Sequence, residues 1–178
     1  MKTKWTIDAM HSEIHFKIRH LVISNVSGSF GKYSAEVETE GDNLETANIH
    51  FSADVNSINT GVEQRDGHLK SPDFFDTANH PTIDFVSTSF TKTGDNNYKL
   101  KGNLSMHGVT KPIELDAEYG GTEKDSYGNI KIGFEVTGKI SRKEFGLTWN
   151  MATEAGGLAV SDDVKINANV QFAKVVAA

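Results

Sequence analysis

The sequence predicts an all-β fold, an antiparallel barrel of about eight strands with one short helical insertion near residues 62–71. Three observations carry that prediction. Apolar residues recur at every second position through most of the chain, which turns one face of each segment to a core and the other to water. Most breaks between segments are of hairpin length and rich in Gly, Asn and Asp, so successive strands are antiparallel neighbours. Closing such strands into a barrel removes the sheet edges that they would otherwise expose.

Taken in order, Ile14, Phe16 and Ile18 alternate with His15, Lys17 and Arg19, and His20 has the parity of the apolar set. Residues 21–25 read as a short irregular or helical link. Residues 26–40 read as one long strand with bends or bulges at Gly28 and Gly31. After the turn Glu40-Gly41-Asp42-Asn43, the residues Ile49, Phe51, Ala53 and Val55 alternate with polar partners. Residues 82–93 carry Ile83 and Phe85 on one face, and Gly94-Asp95-Asn96-Asn97 is a hairpin signal. Leu100, Gly102, Leu104 and Met106 share the next face, and His107-Gly108 turns the chain into residues 109–119 with Ile113, Leu115 and Ala117. A polar loop is expected over 120–129. Ile132, Phe134 and Val136 mark the strand over 130–140, and Val164, Ile166, Ala168, Val170 and Phe172 mark the last, over 160–176.

The alternation stops at residues 57–76. There Glu63, Arg65, Asp66, His68 and Lys70 crowd into ten residues, and Val62 and Leu69, seven apart, fall on one helix face. Pro72 cannot continue a helix and disfavours the α region at Ser71. Phe74 and Phe75 follow between Asp73 and Asp76; in a turn, one ring could plug an opening.

A length of 178 residues fits one domain, 1–178, large enough for a core. The net charge of -6, without a basic stripe, argues against nucleic acid. With no cysteine, disulfides, thiolate catalysis and sulfur-ligated metals are excluded. No apolar run is long enough to span a membrane as a helix or to follow Met1-Lys2-Thr3-Lys4-Trp5 as a leader. As written, the chain is expected in the cytoplasm; with a leader removed it would be periplasmic or extracellular.

Candidate chemistry is sparse. His11 and His15 have the spacing of a helical metal pair, but on a strand they lie about 13 Å apart, and no metal site is expected. No GxSxG elbow is present, and Asp73 and Asp76 suit turn or cap positions as well as acid chemistry. Arg65, Asp66 and His68 form the best polar cluster. One reading has Arg65 and Asp66 make structural ion pairs while Asp66 or Ser71 ties down local backbone; the other puts Arg65 or His68 at a cavity mouth, where a guanidinium fork meets phosphate or carboxylate oxygens. Small residues among the inward set, Gly28, Ala53, Gly102, Ala117, Gly138 and Ala168, either leave room for a ligand or let large neighbours interdigitate.

Several stretches in register resemble the YceI-like proteins: W-x-I-D-x-x-H-S over 5–12, I-x-F-x-I-R-H-L over 14–21, V-x-G-x-F over 26–30, S-I-x-T over 57–60, RDGHLKSPDFFD over 65–76, H-P-T-I-x-F over 80–85, G-N-L-S-M-H-G-V-T-K-P-I-x-L over 102–115, and SRKEFG over 141–146. The resemblance implies an elongated, lipocalin-like barrel, often dimeric. It also implies an apolar interior that binds a long amphiphile: a polyisoprenoid, an isoprenoid quinone or a fatty-acid derivative. It implies no catalysis and no cofactor other than such a lipid, and a role in transport, storage or stress response. The residues expected to meet ligand are Phe16, Ile18, His20, Phe30, Phe51, Phe85, Leu104, Met106, Phe134 and Trp149 along the barrel, with Arg65, Asp66, His68, Leu69, Phe74 and Phe75 at the insertion. The other readings are an enzyme using His68 or His20 on a lipid-like substrate, and a barrel packed shut whose outer face binds a protein.

Overall fold

The computed structural model describes residues 1–21, 23–150 and 160–175. Eleven strands form one sheet in the order β1-β4-β5-β7-β8-β9-β10-β11-β2-β3-β6, closed by a further pairing of β1 with β11. They are β1 (Lys2–Ile7), β2 (Glu13–His20), β3 (Ser24–Phe30), β4 (Tyr33–Glu40), β5 (Asn43–Asp54), β6 (Ile58–Asn59), β7 (Thr82–Lys92), β8 (Asn97–Met106), β9 (Val109–Lys124), β10 (Ile130–Ser141) and β11 (Val160–Lys174). Every pairing is antiparallel.

Eleven strands make eight staves, because three staves are each broken once. β1 and β2 both lie against β11, with Ile7 opposite Phe172 and Glu13 opposite Asn169. Between them Asp8 accepts a bond from the Met10 N–H and folds residues 9–11 into a single 3-10 turn, while the Ser12 hydroxyl accepts the Gln171 N–H. The chain thus leaves the ladder and rejoins the same neighbour. β3 and β4 form the next stave, broken at Gly31 and Lys32, and β5 and β6 the third, broken where Asp54 caps the turn Val55–Ser57. The breaks lie side by side: Gly31 donates to the Ser57 carbonyl, Asp54 to that of Lys32, and the Tyr33 hydroxyl to that of Ser12.

The alternation predicts the barrel and its inward faces correctly, with local differences. The stretch 26–40 is two strands, not one. Residues 21–25 are not a helical link: Leu21 turns the hairpin at φ 55° and β3 begins at Ser24, with Val22 outside the described residues. β9 runs on to Lys124, so the loop expected over 120–129 shrinks to a turn tied by Asp125. Val176 lies outside the described residues. His11 sits on the 3-10 turn and bonds Asp8, so it shares no strand face with His15. Gly28 is no bend: a Cβ there would stand 2.3 Å from Phe16 Cζ, because the ring of its cross-strand partner lies over it. Gly102, under Phe85, is filled in the same way.

The topology gives the barrel two unlike ends. At one, β5, β8, β10 and β2 finish and β7, β9, β11 and β3 begin, so the insertion, the His107-Gly108 hairpin and the 3-10 turn Arg142–Phe145 all gather there. The other carries the start of β1, the end of β11 and short turns, over a floor of buried aromatic side chains that includes Trp5, Phe90 and Tyr98.

Candidate functional site

The inward faces enclose a cavity of about 440 Å³, which excludes a barrel packed shut. Its walls are aliphatic and aromatic, with alanines at Ala35, Ala47, Ala53, Ala117 and Ala168. These alanines, rather than the ring-filled glycines, leave the space. Among the described residues the ionisable groups that line it are all basic: Arg19, Arg65 and Arg142, with His15, His20 and His68.

The insertion crosses the end where all of those bases lie except His15, which stands midway along β2 opposite Asn167. Helix α1 (Glu63–Lys70) carries Glu63 and Asp66 in its first turn and His68 and Lys70 in its last, each sign matching the helix dipole. Ser71 ends it in extended backbone before Pro72. The following turn folds back onto the helix: Phe74 N–H bonds Ser71 O, Phe75 N–H bonds Leu69 O and Thr77 N–H bonds Lys70 O. Phe74 and Phe75 both reach the cavity, as does Leu69. Val62 does not share that face; it stands before the helix and is half exposed, so α1 makes one apolar contact with the interior where two were expected.

Asp66 does not line the cavity. Its Oδ1 accepts the N–H of Thr60 at 2.9 Å and its hydroxyl at 2.5 Å, pinning the helix start to the end of β6. Arg65 does not pair with it: Nε donates to Thr60 Oγ1 at 2.8 Å and Nη2 to Thr60 O at 2.7 Å, leaving Nη1 without a partner among the described residues. Asp66 therefore belongs to the backbone, and Arg65 stays at the cavity with a free donor. His68 Nε2 meets Asp73 Oδ2 at 3.0 Å, and its ring stands edge-on between Phe74 at 5.1 Å and Trp149 at 4.8 Å. These contacts join α1, the turn after it and the segment after the Arg142–Phe145 turn into one cover. The remaining expected residues, Phe16, Ile18, His20, Phe30, Phe51, Phe85, Leu104, Met106 and Phe134, also line the cavity.

Arg142 was missed by reasoning from strand parity. It is 3% exposed, lines the cavity, and gives four hydrogen bonds to main-chain carbonyls: Nε to Ser161 at 2.8 Å, Nη1 to Leu147 at 2.6 Å and Trp149 at 2.8 Å, Nη2 to Val160 at 3.2 Å. No carboxylate lies within ion-pair distance of it among the described residues. Burial pushes its pKa below the usual arginine value, opposed by the charge of Asp162. Burial pushes Asp162 upward, but bonds from the Ser141 hydroxyl and the Lys143 N–H outweigh it and hold that carboxyl below its ordinary value. The only sequence signal was the SRKEFG stretch, since main-chain acceptors leave no trace in side-chain spacing. His107 is a further brace: its Nδ1 meets Phe145 O at 3.1 Å and its ring lies 5.0 Å from that of His80. Among the described residues no three His, Asp or Glu converge as a metal site would need, and no helix is long and apolar enough to cross a membrane.

Comparison with known proteins places this architecture. The family model for the YceI-like domain matches residues 5–172. A UPF0312 protein of Staphylococcus aureus strain USA300 is 36% identical over 171 residues, 96% of this chain and 97% of that one. Among solved structures, a Campylobacter jejuni YCEI protein superposes with a TM-score of 0.77 at 36% identity, covering 90% of this chain and 91% of the other. Burkholderia cenocepacia BcnA gives 0.80 at 20% identity, over 93% and 98%. A polyisoprenoid binding domain from Saccharophagus degradans gives 0.70 at 18% identity, over 95% and 97%; at such identities the likeness is one of fold. With the family model spanning nearly the whole barrel and relatives matched end to end, the chain belongs to the YceI-like family.

Proposed function

We propose that this protein binds and carries one long-chain amphiphile, a polyisoprenoid, isoprenoid quinone or fatty-acid derivative, without chemically changing it. The observation that carries the reading is the cavity itself: closed by eight staves, apolar along its length, and lined by bases and no described acid at one end. An apolar tail would gain about 25 cal/mol for each Å² it buries there. An anionic head would be favoured at the mouth by the free Nη1 of Arg65 and the field of Arg142. The shared fold with a polyisoprenoid binding domain supports the same reading.

Native mass spectrometry of the purified protein tests it, followed by uptake of tail-matched ligands with carboxylate and with neutral amide heads. Copurification of a lipid-sized mass, and weaker binding of the carboxylate but not the amide by Arg65→Ala, is the expected result. Repeated purification without lipid, and no uptake of either ligand, overturns it. One observation favours an enzyme instead, the His68–Asp73 pair beside the cavity. Turnover of a lipid-like substrate that His68→Ala abolishes while ligand binding persists would favour the enzyme.

A further inference from the structure

The end of the cavity away from the mouth is built of rings held against rings. Phe90 on β7 and Tyr98 on β8 stack with centroids 4.5 Å apart and planes within 2°. Phe134 on β10 stands edge-on to both, at 5.8 and 6.3 Å, and Tyr119 on β9 tilts against Phe134 at 5.5 Å. Phe90 and Phe134 line the cavity while Tyr98, 7% exposed, does not; it backs them. Two residues farther from the mouth, Ile132 and Phe172, paired across β10 and β11, line the last of the cavity behind them. An aliphatic wall can yield to a ligand through rotamer changes. A ring clamped by a stacked partner and an edge-on one has little such freedom.

We propose that Phe134 and Phe90, backed by Tyr98, are the stop on which a ligand's tail ends, and so fix the longest tail the barrel encloses. The proposal rests on the amphiphile reading above. Its scale follows from the strand. Arg142 at the mouth and Phe134 are eight residues apart (142 − 134), about 26 Å along a strand at about 3.3 Å per residue. With the usual barrel tilt of about 40°, that is roughly 20 Å along the axis. A fully extended chain of single-bonded atoms advances about 1.2 Å per atom, a third of the reach of one residue. The enclosed tail is therefore about sixteen chain atoms long, a hexadecanoyl chain or four isoprene units.

Straight-chain fatty acids from ten to twenty-two carbons, one head on graded tails, test this by displacement of a fluorescent fatty-acyl probe. Wild-type affinity rises about fourfold per added methylene, the equivalent of about 0.8 kcal/mol each, and stops rising near sixteen carbons. Phe134→Ala moves that break to longer tails. Phe85→Ala, in the wall, weakens every length and leaves the break in place. Should Phe134→Ala fail to fold, Phe134→Leu keeps most of the packed volume and shifts the break in the same direction by less. Binding without a break, or a break unmoved by either Phe134 variant, overturns the stop and leaves the amphiphile reading standing. Failure of the wild type to bind any length overturns both.

Discussion

Replacing Arg142 by methionine keeps a long unbranched side chain and removes every donor. Four carbonyls, those of Leu147, Trp149, Val160 and Ser161, then lose their partner. A hydrogen bond from a charged donor contributes about 1.5–3 kcal/mol net, and a stranded acceptor costs about as much where water cannot reach it. These losses do not add in full, because all four bonds come from one guanidinium. We expect Arg142→Met to cost about 3–5 kcal/mol, the range for breaking a buried charged network from one side. For a chain of this length, that lowers the melting temperature by roughly 10 °C. Far-UV circular dichroism during heating and urea unfolding measures it. Arg142→Lys recovers only part, since one ammonium cannot span carbonyls from both the 147–149 and the 160–161 segments. A loss below about 1 kcal/mol in the methionine variant, or full recovery by lysine, would refute the idea that a guanidinium fork ties these two segments together.

Other expectations follow from single contacts. Asp8 is held at a pKa of about 2, first by the hydrogen bond from Lys131 and next by that from His11. Because the folded value lies below the ordinary 3.8, its stabilisation is complete above about pH 4 and is lost as pH falls toward 2. Asp8→Asn should thus cost about 1–2 kcal/mol at neutral pH and nothing extra at the acid end, read from urea midpoints across pH. Gly102→Ala should destabilise by about 1–3 kcal/mol, because its Cβ would lie 2.4 Å from Phe85 Cζ and 2.5 Å from the Val86 carbonyl oxygen. Gly67→Ala, with nothing within 4 Å of the new methyl inside α1, should stabilise by about 0.5–1 kcal/mol; equal effects at the two sites would undercut the packing argument. Leu104→Trp should fill the cavity and abolish ligand uptake while leaving the far-UV spectrum intact, and undiminished uptake by the folded variant would mean the ligand lies elsewhere.

Period-two alternation in the sequence was enough to determine the barrel and the inward set of each strand, because a strand's pleat assigns alternate side chains to opposite faces whatever its partners are. Pro72 and the charge density before it likewise marked where a helix interrupts the sheet. What alternation cannot report is contact between distant stretches. Asp66 and Arg65 both stood among the residues expected to meet ligand, yet Thr60 takes up Asp66 and leaves Arg65 a donor at the cavity. The small residues had two readings, and packing divided them: rings from neighbouring positions fill Gly28 and Gly102, whereas Ala53, Ala117 and Ala168 border open space. Asp8 and Lys131 meet across 123 positions of sequence, and Arg142 bonds only main-chain oxygens, which every residue carries. The sequence by itself thus determined the inward apolar set of most strands, a matter of local backbone geometry. Only the tertiary structure decided which of the polar side chains are spent on the protein and which keep a free donor at the cavity, since that depends on partners brought together by closure of the barrel.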